Sequence, residues 1–142
     1  MSNIRIVLAE DHVVVRQGTR QLLEQESDFE IVGEANDGNE AVQMVSQLKP
    51  DIVIMDVAMP KLSGIEATKQ IKEILPATII LVLTGYDYDE YIFSMLEAGA
   101  AGFVLKRTAV NDLVPAIESV LQNVPYVSPA ALDEKTRRPG HA

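Results

Sequence analysis

The chain has 142 residues, a formal net charge of −9, 47% hydrophobic residues and no cysteine. This length and composition indicate one globular domain that needs no disulfide or structural metal. The absence of cysteine excludes thiol catalysis and zinc–thiolate or iron–sulfur sites and suits a cytoplasmic protein. The acidic charge makes nucleic acid a poor partner for most of the surface. No apolar stretch approaches the roughly 18 residues of a membrane span, so we expect no membrane association.

Five short apolar runs alternate along the chain with segments of helical spacing. The runs cover residues 4–8, 29–33, 52–55, 79–83 and 102–105. Strands that alternate with helices predict an α/β fold, in which a parallel sheet carries helices on both faces. The second run includes the charged Glu30 and is typical of an edge strand, whereas the third and fourth runs are apolar throughout and are typical of central strands.

Three of the intervening segments carry apolar residues at the helical period of 3.6. These residues are Ala41, Met44, Val45 and Leu48, then Ala67, Ile71, Ile74 and Leu75, and finally Leu113, Ala116, Ile117, Val120 and Leu121. Proline inside a helix costs about 3 kcal/mol, so Pro115 predicts that the last helix begins near Asn111 or bends. The proline-rich segment from Val124 indicates a linker or tail, which divides the chain into a domain at 1–123 and a tail at 124–142.

Polar residues follow four of the predicted strands. Glu10 and Asp11 follow the first, Asp56 the third, Thr84 the fourth and Lys106 the fifth. In an open parallel sheet, ligands bind beyond the carboxyl ends of the strands, where the strand order reverses. If the first and third strands are neighbours there, three carboxylates converge with one hydroxyl and one ammonium group.

Three adjacent carboxylates raise one another's pKa, and a divalent cation relieves this repulsion. An incomplete shell of oxygen ligands favours Mg²⁺. The same set suits phosphoryl transfer, with Asp56 as the nucleophile and Lys106 and Thr84 contacting the phosphoryl oxygens. Taken singly, Asp11 could cap the first helix, Thr84 could be a turn residue and Lys106 a solvated charge. Their joint placement at matching strand ends favours the functional interpretation.

Other site types lack their sequence patterns. The chain has no G-x-x-x-x-G-K-[ST] or G-x-G-x-x-G phosphate loop and no G-x-S-x-G nucleophile turn. The two histidines, His12 and His141, are too isolated in the sequence to predict a metal cluster. We interpret His12 as a surface residue of the first helical turn.

Together these residues resemble the response-regulator receiver domain of two-component signalling, over about residues 3 to 122. The resemblance rests on Glu10-Asp11, on Met55-Asp56-Val57-Ala58-Met59-Pro60 with Gly64, on Thr84-Gly85 and on Lys106. It implies a flavodoxin-like, doubly wound sheet of five strands in the order 2-1-3-4-5. It also implies a histidine kinase as phosphoryl donor and a homodimer on phosphorylation.

The resemblance assigns a role to each site residue. Asp56 is the expected phosphoacceptor, and Thr84 and Lys106 are expected to contact the phosphoryl group. Mg²⁺ is expected to bind Glu10, Asp11, Asp56 and the carbonyl of Ala58, and Phe103 is expected to hold the position of the switch aromatic. The chain departs from the family pattern after Lys106, where Arg107 replaces a proline.

Further segments resemble the receivers of LuxR-type transcription regulators. They are Asp11-His12-Val13-Val14-Val15-Arg16-Gln17-Gly18, Val32-Gly33-Glu34-Ala35, Asp37-Gly38-Asn39-Glu40-Ala41 and Gly64-Ile65-Glu66-Ala67-Thr68. In that family a linker and a DNA-binding domain follow the receiver. The resemblance therefore implies a transcription regulator whose DNA-binding domain is missing from this chain, with DNA bound only through that domain.

Two other functions are compatible with parts of the pattern. A dehalogenase-type phosphatase also uses an aspartate nucleophile with Mg²⁺, but it carries a second acid two residues later, where this chain has Ala58. A stand-alone adapter would act by binding other proteins, and only the gene sequence beyond Ala142 separates it from a transcription regulator. We expect a signalling domain whose only catalysis is its own phosphorylation and dephosphorylation.

Overall fold

The computed structural model describes residues 3–85 and 89–127, with the backbone alone for 89–91. Strands and helices alternate, as the apolar pattern predicts. The strands are β1 (Ile4–Ala9), β2 (Phe29–Ala35), β3 (Ile52–Met55), β4 (Ile79–Thr84), β5 (Gly102–Leu105) and β6 (Tyr126–Val127). The helices are α1 (Val13–Glu24), α2 (Gly38–Leu48), α3 (Gly64–Ile74), α4 (Asp89–Ala98) and α5 (Ala109–Leu121), with a 3₁₀ turn at Lys106–Thr108 before α5.

The strands form one parallel sheet in the order β2-β1-β3-β4-β5-β6. The order of the first five strands and the position of β2 at an edge confirm the expected flavodoxin-like α/β fold. The chain moves outward from β1 to β2 in one direction and from β3 to β6 in the other. The strand order therefore reverses between β1 and β3, which are hydrogen-bonded neighbours.

The expected count of five strands was one too few. Residues Tyr126 and Val127, within the segment expected to be linker or tail, pair in parallel with Gly102 and Phe103 of β5. Two residues are too short a run to show alternation in the sequence, so no strand pattern marks β6. The remainder of the expected tail, 128–142, lies outside the described residues.

Alternate residues of each strand face two separate apolar layers, as the pleat of a strand requires. On one face, Val7, Val53, Val82 and Phe103 pack with buried residues of α2, α3 and α4. On the other face, Ile6, Ile54, Leu81 and Val104 pack with Leu23 of α1 and with Leu113, Ala116, Ile117 and Val120 of α5. Helices therefore cover both faces of the sheet and leave its carboxyl edge for polar residues.

Two helical details differ from the expectations. Helix α5 begins at Ala109, two residues before Asn111, and contains Pro115. Pro115 is an exposed residue, and so is Asn111, whose carbonyl loses its helical donor. At this exposed position water can replace the missing hydrogen bond. Ile74, expected on the apolar face of α3, is 52% exposed because α3 ends at that residue.

The peptide bond after Lys106 is trans, as are the other peptide bonds of the described residues. Among the described helices, none combines the length and the apolar character needed to span a lipid bilayer.

Candidate functional site

The backbone ladder of the sheet places the acidic residues one position beyond the strands. The Asp56 N–H donates to the carbonyl of Ala9 at 3.0 Å, and the Glu10 N–H donates to the carbonyl of Ala35 at 3.0 Å. These hydrogen bonds continue the pairing of β3 with β1 and of β1 with β2. Glu10 and Asp56 therefore lie side by side at the reversal of strand order, as the sequence predicts.

Lys106 joins the two carboxylates across the edge of the sheet. Its Nζ lies 2.6 Å from Glu10 Oε1 and 3.4 Å from Asp56 Oδ2. The side chain reaches this position because β5 ends at Leu105, beside Thr84 of β4. The closer contact is thus with Glu10, a pairing that the sequence does not reveal because it depends on the rotamer of the lysine.

Burial and the ion pairs with Lys106 act against each other on the pKa values of the site. Asp56 is 3% exposed and Glu10 6% exposed. Burial, together with the neighbouring Glu10 carboxylate, raises the pKa of Asp56 to about 6 against the opposing effect of Lys106. Burial also tends to raise the pKa of Glu10, but hydrogen bonds from Lys106 and His12 reverse this effect and lower it. The ion pairs likewise outweigh burial at Lys106 and raise the pKa of its ammonium group.

The other expected site residues differ in burial and in position. Thr84 is completely buried at the end of β4, and Ala58 is exposed in the loop after Asp56. Gly64 begins α3 close above this loop, where its N–H donates to the Val57 carbonyl at 2.9 Å. Phe103 is fully buried in the core and pairs with Val82 of β4, so it is not part of the polar site.

Two buried carboxylate oxygens of the site form no hydrogen bond with any residue that the structure describes. They are Oδ1 of Asp11 and Oδ1 of Asp56. Such oxygens are costly to bury unless a cation or donor satisfies them. Ligand atoms of Glu10, Asp11, His12 and Asp56 all lie within 4.8 Å of one another. The oxygen-rich donor set and its unsatisfied atoms therefore fit a hard divalent cation such as Mg²⁺.

The interpretation of Asp11 as a helix cap is wrong. The N-cap of α1 is His12, and the His12 side chain makes no capping hydrogen bond. The ring of His12 is 67% exposed, as expected for a surface residue, but its Nδ1 lies 3.1 Å from Glu10 Oε2. The contiguity of Glu10, Asp11 and His12 in the sequence is the signal that could have revealed this contact.

Arg16 supports the site and was not identified from the sequence as a site residue. Its Nη1 donates to the Glu10 carbonyl at 2.7 Å and to Asn36 Oδ1 at 2.7 Å. Its Nε donates to Glu34 Oε1 at 3.0 Å. Arg16 therefore ties the loop that carries the acids to α1 and to the end of β2.

A comparison of the chain with known protein families agrees with this arrangement of acids, lysine and threonine at the carboxyl edge. Residues 6–118 match the family described as the response regulator receiver domain. The chain belongs to this family. Receiver domains of response regulators are signalling domains, and this one follows the fold of its family over most of its length.

The receiver domain is similar to LuxR-family regulators. It is 44% identical over 125 residues to the oxygen regulatory protein NreC of Staphylococcus epidermidis, covering 87% of this chain and 57% of that protein. A LuxR-family response regulator from Aurantimonas sp. SI85-9A1 has a similar structure, with a TM-score of 0.89 and 38% identity, covering 94% of this chain and 95% of that one.

The isolated receiver domain of RcsB from Salmonella enterica serovar Typhimurium, solved in the presence of the phosphomimetic BeF₃⁻, is also similar in structure. It has a TM-score of 0.84 and 29% identity, and the match covers 94% of this chain and 98% of that one. The chain spans little more than half the length of the curated relatives, between 53% and 58% of the first ones.

Proposed function

We propose that this receiver domain accepts a phosphoryl group on Asp56 from a histidine kinase, with Mg²⁺ bound at Glu10, Asp11, Asp56 and the Ala58 carbonyl. The observation that carries the proposal is the convergence of a buried carboxylate, a lysine ammonium group and unsatisfied acidic oxygens at the reversal of strand order. Family membership supports it, because two-component receivers are phosphorylated by histidine kinases.

The residues of this chain divide the reaction among them. A carboxylate oxygen of Asp56 forms the new P–O bond while the P–N bond to the donor histidine breaks. Bound Mg²⁺ would neutralise charge on the transferring phosphoryl oxygens. The Lys106 ammonium group offsets charge on the same oxygens, and the Thr84 hydroxyl donates a hydrogen bond to one of them. No other enzymatic activity is part of the proposal.

Phosphorylation would change the output surface of the domain. A phosphoryl group adds about −1.5 to −2 charges next to Thr84 and draws the hydroxyl toward it. Phe103 lies on the adjacent strand β5, two residues before the partner of Thr84, so a shift at the end of β4 would be transmitted along the β4–β5 pair toward this buried aromatic side chain. Two conformations that differ by a few kcal/mol would then exchange populations, and the phosphorylated form would pair as a homodimer.

Transcriptional regulation is the output we propose for the whole protein. The relatives include transcriptional regulatory proteins by name, such as YxjL of Bacillus subtilis strain 168. Their names favour transcriptional output over a stand-alone adapter. DNA would be bound through a domain outside these residues, since the present chain carries a net charge of −9 and repels polyanions.

Acetyl phosphate tests the assignment of Asp56 without a cognate kinase. With Mg²⁺ present, intact-mass spectrometry is expected to show one added phosphoryl group on the native chain and none on Asp56→Asn. Asp51→Asn is the matched control, because Asp51 lies at the opposite end of β3, where its Oδ2 accepts from the Arg5 N–H. Undiminished labelling of Asp56→Asn would refute the assignment, and Asp51→Asn is expected to label like the native chain.

A further inference from the structure

His12 turns a nitrogen ligand toward the acidic site, although most of its ring is exposed. Its Nδ1 lies 3.1 Å from Glu10 Oε2 and 3.3 Å from Asp11 Oδ1. The backbone N–H of His12 also donates to Glu10 Oε2, at 3.1 Å, which holds the residue over the carboxylate. The backbone thereby keeps the imidazole at the rim of the site.

These distances match the spacing of ligands around one metal ion. In an octahedral complex with bonds of about 2.1 Å, adjacent ligand atoms lie about 3 Å apart and opposite ones about 4.2 Å apart. The nitrogen of His12 is at the adjacent spacing from two carboxylate oxygens. One ligand atom from each of Glu10, Asp11, His12 and Asp56 falls within 4.8 Å of all the others.

The buried carboxylate of Asp56 is an independent indication that the cluster is built for a cation. Asp56 is 3% exposed, and its Oδ1 has no hydrogen-bond partner among the described residues. Asp11 Oδ1 is also buried and forms no hydrogen bond within the described part of the chain, because its 3.3 Å approach to His12 Nδ1 is not a hydrogen bond. A simple contact between the exposed imidazole and Glu10 would leave both of these oxygens unsatisfied.

We infer that His12 Nδ1 is an additional ligand that makes this site prefer late first-row transition metal ions over Mg²⁺. Imidazole nitrogen binds Co²⁺, Ni²⁺ and Zn²⁺ well, whereas Mg²⁺ prefers oxygen ligands and retains its waters. A site made of oxygen ligands alone would show a smaller difference in affinity between these transition metal ions and Mg²⁺. The inference rests on the metal site of the proposed function and adds a selectivity for the ion.

Calorimetric titration of the tag-free 142-residue chain with MgCl₂ and, separately, with CoCl₂ tests the inference. His12→Gln is expected to lower the Co²⁺ affinity about tenfold or more and to leave the Mg²⁺ affinity within about twofold. His141→Gln is the matched control, because it removes the other histidine of the chain. This control is expected to leave both affinities unchanged. Proton NMR of the Co²⁺ complex should show paramagnetically shifted ring protons of His12.

The possible outcomes separate the inference from the proposed function. Equal Co²⁺ affinity in the native chain and His12→Gln, with Mg²⁺ bound normally, would overturn the inference alone. An equal loss for both ions would show that His12 only supports the loop, and it would overturn the inference as well. Absence of Mg²⁺ binding in the native chain would refute the metal site of the proposed function and the selectivity with it.

Discussion

Gly64 is the residue that lets the loop after β3 close over the acceptor. A Cβ atom at this position would lie 1.9 Å from the carbonyl oxygen of Asp56 and 3.0 Å from the Cα of Val57. Both neighbours are backbone atoms, which cannot move aside as the end of a flexible side chain can. The need for glycine therefore comes from close approach to the residue that we propose to be phosphorylated.

Gly64→Ala is expected to lower the free energy of unfolding by about 2 kcal/mol or more and to slow labelling by acetyl phosphate, because the acceptor must shift. Gly18→Ala is the matched control, since a Cβ at Gly18 in α1 meets no atom within 4 Å. Alanine there should raise stability by about 0.5–1 kcal/mol through its helix propensity. Urea denaturation measures both, and native stability in Gly64→Ala would contradict the argument.

Asp11 is expected to couple binding of the proposed metal ion to stability. Three carboxylates repel one another without a cation, so Mg²⁺ bound at the site proposed for the folded state should raise the Tm of the native chain. Asp11→Ala is expected to remove most of this Mg²⁺ effect and, without Mg²⁺, to unfold at a higher temperature than the native chain. Differential scanning fluorimetry with and without Mg²⁺ gives both values.

The matched control for Asp11 is Glu30→Ala, which removes an exposed acid from the start of β2, at the other end of the sheet. Its Mg²⁺ response should equal that of the native chain. A native Tm that does not change at millimolar Mg²⁺ would show that no metal site exists in the folded chain.

At the scale of elements, one arginine connects α1, β2 and the acidic loop. The Arg16 side chain is 12% exposed and makes three hydrogen bonds, to Glu10, Glu34 and Asn36. Arg20, one turn later, is 37% exposed and pairs with Glu34 and Glu24. Both arginines contact Glu34. Of the two, only Arg16 donates a hydrogen bond to the backbone of the acidic loop in the part of the chain that the structure describes.

Arg16→Met is expected to lower the free energy of unfolding by about 2 kcal/mol, because it leaves charged and backbone acceptors without their donor. Arg20→Met should cost less than about 1 kcal/mol, as solvent screens its exposed ion pairs. Urea denaturation of both variants checks the difference. Equal losses would show that Arg16 contributes no more than a surface ion pair.

At the scale of the whole molecule, β6 completes the sheet beyond β5. Gly102 permits the approach, because a Cβ there would lie 2.7 Å from the carbonyl oxygen of Tyr126. The turn before β6 is closed by Ser119, whose Oγ donates to the Val124 carbonyl at 2.9 Å. The Tyr126 hydroxyl group forms a hydrogen bond with the Asp112 side chain on α5. Val127 then packs against the core layer that contains Phe103.

Val127→Asp is expected to lower the free energy of unfolding by about 1–2 kcal/mol, since it places a charge against that apolar layer. Val124→Asp is the matched control, because Val124 is 52% exposed and the change should stay within about 0.5 kcal/mol. Urea denaturation distinguishes the two variants. Equal stability of both would show that β6 does not pack on the core.

Local sequence patterns were enough to predict strands β1 to β5, the helical character of α2, α3 and α5, and the polar residues at the carboxyl edge. Apolar runs such as 52–55 are long enough to mark a buried strand, and the period of 3.6 marks α5 despite Pro115. Asp56 follows such a run directly, where an acid has no packing role. Periodicity and a polar residue directly after an apolar run are local signals, so they can be recognised in a single amino-acid sequence without the structure.

Which side chains meet depends on the packed sheet and its helices. Lys106 pairs more closely with Glu10 than with Asp56, Arg16 donates to the carbonyl of Glu10, and Val127 lies beside Phe103. Each of these contacts except that of Arg16 joins residues that lie in or directly after different strands. All of them depend on a rotamer or on register. Such contacts leave no periodic trace in the sequence, because their geometry exists only after the sheet has formed.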